Sequence, residues 1–159
     1  MRVAGVGGPR RVLARALTAI ETEGVAIEAM SSIIDSAPLG PSARRYANGA
    51  AIVVTDLSPP ALFATLQRIE HAFGRRRRGG RWRARPLDLD IVMWSGGAWS
   101  EADLTIPHTA FRERFFVMAP AAAIAADWRD PVSGLTLRHL RARLTRPRLM
   151  PSERPWSGP

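Results

Sequence analysis

Residues 75–91 run Arg75-Arg76-Arg77-Arg78-Gly79-Gly80-Arg81-Trp82-Arg83-Ala84-Arg85-Pro86-Leu87-Asp88-Leu89-Asp90-Ile91. Seven arginines share a glycine-bearing stretch, and two carboxylates follow at once. In an extended chain residues i and i+2 point to the same face, so Asp88 and Asp90 converge on one site. Neighbouring carboxylates repel unless a proton or a cation lies between them. Magnesium suits that setting, since it takes one or two carboxylates, waters and phosphate oxygens. Arginine grips phosphate through a planar, bidentate fork. Cations on a loop and a metal pair on a strand together describe a polyphosphate site. A solvated basic loop beside the end of a surface strand is the plainer alternative for the arginines alone. The attached Leu87–Ile91 run argues against it.

These residues need elements to position them. Val12, Leu13, Ala16, Leu17 and Ile20 recur at helical spacing after Pro9, which predicts a helix start. Residues 25–34 read as an extended segment that ends in a loop at 37–41. Residues 48–55 read as a buried strand. Ser58 with Pro59 and Pro60 predicts a capped helix, with its apolar stripe at Leu62, Phe63, Leu66, Ile69 and Phe73. The arginine loop, residues 75–86, then precedes a strand over 87–94. A short turn, a helical region at 117–126 and a last helix around 135–144 complete the order. From residue 9 onward this is α-β-β-α-β, and one strand in front would make it the ferredoxin-like β-α-β-β-α-β unit.

At 159 residues the chain fits one domain. Its apolar content of 46% and charged content of 23% are ordinary for a globular protein. No apolar run approaches the roughly 18 residues that span a bilayer. The N-terminal stretch lacks the apolar region of a secretory signal, so a cytoplasmic location is expected. Cysteine is absent, which excludes disulfides, thiolate metal sites and cysteine nucleophiles. The formal net charge is +9, carried entirely by arginine because lysine is absent, and an anionic partner is expected. Without lysine no Walker-type phosphate loop is possible, and neither His-Glu-x-x-His nor Gly-x-Ser-x-Gly occurs.

Arg85-Pro-Leu-Asp88-Leu-Asp90-Ile-Val resembles the signature of the 6-hydroxymethyl-7,8-dihydropterin pyrophosphokinases (2-amino-4-hydroxy-6-hydroxymethyldihydropteridine diphosphokinases). Gln67-Arg-Ile-Glu70, Ile106-Pro-His108, Arg114 and Phe116, Pro38-Leu-Gly-Pro41, and Tyr46-x-Asn48 are similar to the family's flanking motifs, in the same order. The resemblance covers roughly residues 9–130. It implies transfer of the ATP diphosphate to 6-hydroxymethyl-7,8-dihydropterin, with AMP as the other product, in folate biosynthesis. It further implies that Asp88 and Asp90 hold two magnesium ions, and that Arg75 and Arg85 stabilise charge during transfer. Gln67, Arg77, Trp82, Thr105, His108 and Arg114 match positions that hold ATP or close the loop over it. Tyr46 and Phe116 match residues that sandwich the pterin, with Ser36, Leu39 and Asn48 along its edge. A flat heteroaromatic substrate does want aromatic faces and an amide edge. The glycines at 79 and 80 would let the arginine loop move.

The fold implied is a single α+β domain, residues 1–144, followed by a loosely ordered tail over 145–159. It is a ferredoxin-like βαββαβ sandwich with an antiparallel sheet whose first strand is missing or truncated. The family's first strand ends in Gly-Ser-Asn, whereas this chain has Gly7-Gly8 near that place. Either the start lies downstream of a further strand, or residues 2–6 are a poor substitute; the former is expected, because losing a central strand removes much of a small core. Asp103, Thr109 and the Arg83-Ala84 pair are smaller departures, none of which touches the carboxylates. Two rivals remain: an arginine-rich RNA-binding module and a catalytically inactive relative. Asp88 and Asp90 would repel a nucleic-acid backbone, so nucleic acid is not the expected partner. ATP, the pterin and a monomeric state are.

Overall fold

The computed structural model describes residues 7–36, 46–74 and 86–146. Helix α1 (Pro9–Thr22) begins with proline in its first turn, where a missing N–H goes unnoticed. Val12, Ala16 and Ile20 are its buried stripe, at the spacing that one helical face requires. The chain leaves through Gly24 at φ +81°, a conformation glycine adopts without Cβ strain. Strand β1 (Ala26–Met30) follows, then β2 (Ile34–Ser36), β3 (Tyr46–Asn48) and β4 (Ala51–Val54). Helix α2 (Pro59–Ala72) starts after Ser58 as expected. No side-chain cap forms there; the Ser58 carbonyl accepts from Leu62 N at 2.9 Å.

Strands pair antiparallel in three two-stranded units: β1 with β4, β2 with β3, and β5 (Trp99–Glu101) with β6 (Leu104–Ile106). The extended run expected over 25–34 is therefore split into β1 and β2, and the strand expected over 48–55 into β3 and β4. Ser31 sits at the break, donating its N–H to the Ala50 carbonyl and accepting from Ala50 N on Oγ, both at 2.9 Å. The β5–β6 hairpin replaces the short turn expected there. After it come a 3₁₀ turn (Phe111–Glu113), α3 (Phe115–Ile124) and α4 (Leu137–Thr145).

Residues 87–94 differ from expectation: they form no regular strand ladder among the described residues. Their backbone groups bond elsewhere. Leu89 N donates to Glu70 Oε1 at 2.8 Å, and the Val92 carbonyl accepts from His108 N at 3.1 Å. The side chains nonetheless alternate, with Leu87 and Ile91 buried and Asp88 and Asp90 exposed. Leu87 and Ile91 join a core built by α1, Val25 and α2. Val92 and Met93 pack against a second core, made by Phe111, α3 and α4. The segment thus lies between two helix-backed cores.

A polar bracket closes the second core. Asp130 is fully buried and accepts from Arg112 Nε at 2.8 Å and Nη2 at 2.6 Å. It also accepts from Val132 N, Ser133 N and Ser133 Oγ. The Arg112 guanidinium holds the Asp130 carboxyl far below the usual carboxylate range, against the opposing effect of burial. Removing one member of such a pair leaves an uncompensated charge, so Arg112→Met should cost about 3 kcal/mol at neutral pH. Because the folded pKa is depressed, the pair's contribution is fully present above pH ~4 and lost as pH falls below it. Urea unfolding at pH 7 and pH 3 should show the gap between Arg112→Met and the parent chain shrinking in acid; an equal gap at both would contradict this account.

Candidate functional site

The first core fixes the acidic pair. Leu87 and Ile91 point inward, so strand-like alternation turns Asp88 and Asp90 to the opposite side. Behind them stands Glu70 on α2, only 1% exposed, whose hydrogen bond to Leu89 N clamps the backbone midway between the two aspartates. Asp90 Oδ2 lies 3.9 Å from His108 Nε2, and His108 is itself tied by its N–H to the Val92 carbonyl. The distance suits a charge contact but exceeds a hydrogen bond.

A groove of about 610 Å³ runs along this segment between the two cores; apolar side chains such as Leu62, Leu66 and Leu137 form much of its lining, and Asn48, Asp88, Asp90, Arg114 and Phe116 also line it. They arrive from three places: β3, the 87–94 segment and the start of α3. Asn48 ends β3, where its Nδ2 donates to Ser36 Oγ on β2 at 2.8 Å. Register places Ser36 opposite Tyr46 and Ile34 opposite Asn48, so the candidate edge residues Ser36 and Asn48 and the candidate stacking residue Tyr46 share one strand pair. Arg114 is the N-cap residue of α3, and its carbonyl accepts from Val117 and Met118 N–H groups. Phe116 lies in the first turn of that helix. Thr105, on β6, lines a separate open pocket of about 410 Å³ with Trp99, Thr109 and Arg112. Gln67 lies on α2 one turn before Glu70 and lines neither pocket. Leu39, Arg75, Arg77, Trp82 and Arg85 fall outside the described residues.

Among the described residues no group of three or more His, Asp or Glu side chains could form a closed metal cage. Two exposed carboxylates on one side of an extended segment nevertheless fit magnesium, which keeps waters and phosphate oxygens in most of its positions. Asp88 and Asp90 are the residues that would hold it.

Sequence reasoning gave no role to Glu70, Arg112 or Asp130. Glu70 was traceable, because it falls beside Ile69 on the buried side of an amphipathic helix, where a carboxylate needs a partner. The Arg112–Asp130 pair had no local signal, since 18 residues separate its members. No helix among the described residues is long and apolar enough to cross a membrane.

Comparisons with known proteins identify the family of the chain. The model of the 7,8-dihydro-6-hydroxymethylpterin-pyrophosphokinase (HPPK) family matches residues 4–126. A 2-amino-4-hydroxy-6-hydroxymethyldihydropteridine pyrophosphokinase of Synechocystis is 43% identical over 117 residues, 74% of this chain and 60% of that protein. Its namesake in Haemophilus influenzae is 44% identical over 98 residues, 61% of each chain. The one in Pseudomonas aeruginosa is 38% identical over 125 residues, 77% of this chain and 76% of its own. The match thus spans about 60% of the length of the first two of these relatives. With a family match covering most of its length and such relatives on either side, the chain belongs to the 7,8-dihydro-6-hydroxymethylpterin-pyrophosphokinase family.

Proposed function

We propose that the chain transfers the terminal diphosphate of ATP to 6-hydroxymethyl-7,8-dihydropterin and releases AMP. The observation that carries this reading is the groove that gathers an acidic pair, an arginine, an aromatic ring and an oriented amide. Those groups are what a magnesium polyphosphate and a flat, mixed-edge heterocycle each require.

In this reading the hydroxymethyl oxygen bonds to the β-phosphorus of ATP, its proton leaves, and the α–β bridging bond breaks to expel AMP. Such a transfer asks for positioning and charge neutralisation. Magnesium, two ions in this reading, would neutralise phosphate oxygens when held by Asp88 and Asp90. Arg75 and Arg85 would stabilise the same charge, while Gln67, Arg77, Trp82, Thr105, His108 and Arg114 bind ATP. Tyr46 and Phe116 stack on the pterin, with Ser36, Leu39 and Asn48 at its edge. The Asn48–Ser36 hydrogen bond fixes the amide plane, which leaves the Asn48 oxygen oriented for a ring N–H. A ferredoxin-like βαββαβ arrangement over residues 1–144, a tail from 145, a monomeric state and a cytoplasmic location belong to the same reading.

Incubating the purified chain with ATP, magnesium and the pterin should yield AMP only when the pterin is present, and Asp90→Ala should lower kcat/KM at least about 100-fold. AMP formed without pterin, or no AMP at all, would sink the proposal; salt-sensitive RNA binding in its place would favour the arginine-rich rival. Phe116→Ala should raise KM for the pterin about tenfold by removing one stacking face. An equal rise in KM for ATP would remove Phe116 from the pterin pocket.

A further inference from the structure

Four candidate contact residues, Thr105, His108, Arg114 and Phe116, fall within one run of twelve residues. Between the end of β6 and the start of α3 this run holds only the 3₁₀ turn Phe111–Glu113. Such a turn has poor hydrogen-bond geometry and does not define its own orientation. Something distant must set it. Two contacts do so. The Phe111 ring is completely buried in the second core, and Arg112 forks onto Asp130 with its guanidinium 4.6 Å above that ring.

Asp130 is a rigid post for this fork. Its carbonyl accepts from Gly134 N at 2.8 Å, and its N–H donates to Leu135 O at 2.9 Å. Arg129 and Thr136 bridge next to it, and α4 begins one residue later. Of the ion pairs between described residues, this one alone has a fully buried member. A bidentate fork fixes orientation as well as distance. Arg112 also lines the open pocket beside Thr105 and Thr109, while Arg114, two residues on, lines the groove with Asp88 and Asp90.

We infer that the Arg112–Asp130 bracket is a positioning element of the substrate site, holding Arg114 and Phe116 in register with the Asp88–Asp90 segment. This rests on the pyrophosphokinase reading for its kinetic consequence, though not for its geometry. Neither bracket residue touches substrate; both act through the run they orient.

The test compares the full chain with Asp130→Asn, which keeps shape and loses charge, and with Ala14→Gly, a destabilising change on the exposed face of α1. Steady-state AMP formation and segment-resolved hydrogen exchange are measured for all three. Asp130→Asn should raise KM for both substrates about tenfold, whereas Ala14→Gly leaves both unchanged. Exchange over residues 111–118 should quicken in Asp130→Asn while α1 keeps its protection. A folded Asp130→Asn with parental KM values overturns the inference, whatever its melting temperature. If the parent chain forms no AMP, the functional reading fails and exchange alone decides. A selective rise over 111–118 then supports the bracket, and a uniform or absent change overturns it. Should Asp130→Asn not fold, Arg112→Lys, which keeps the charge but loses the fork, is judged by the same criteria.

Discussion

Leu87 and Ile91 are drawn into the core of α1 and α2, and Val92 and Met93 into the core of Phe111, α3 and α4. Almost everything else about the site hangs on that division. A segment held from both sides by apolar burial cannot slide by one residue without turning its aspartates inward, because strand-like side chains alternate with a period of two. Burying Asp88 or Asp90 in place of Leu87 or Ile91 would leave charge in an apolar core, which costs far more than the packing returns. Hydrophobic packing therefore sets the direction in which the carboxylates face.

Polar contacts refine what packing establishes. Glu70 fastens the backbone at Leu89 from behind, and His108 fastens it at Val92 from the side. His108 approaches Asp90 as it does so. These contacts stand where a regular ladder was expected, and they bind the acidic segment to α2 and to the run after β6. The groove then forms where that run, the β2–β3 hairpin and the first turn of α3 meet the segment. Its chemistry comes from three separate stretches of chain, so the integrity of the site depends on how those stretches are docked.

The Arg112–Asp130 pair belongs to the same logic one layer out. A buried ion pair is a weak source of net stability compared with well-packed apolar side chains. Its geometric selectivity is greater, because a guanidinium fork and a carboxylate meet productively in few orientations. Placed next to a short 3₁₀ turn, such a pair compensates for the poor definition of the local backbone. Thr136 caps α4 just beyond, accepting from His139 N, so the bracket is continuous with a helix start.

The sequence by itself determined the helical faces of α1 and α2, the shared face of Asp88 and Asp90, and the family through several short motifs in order. These are properties of spacing: a period of 3.6 or 2 decides which side chains share a face, whatever lies opposite. Only the tertiary structure decided which strands pair, that residues 25–34 and 48–55 each break in two, and that residues 99–106 fold back as a hairpin. It also decided that Glu70 meets Leu89, 19 residues away, and that Arg112 meets Asp130. No local period encodes such partners, because each is selected when distant segments pack on a shared core. Where spacing chose a face, the residues could be read directly; where burial and docking chose a partner, they could not.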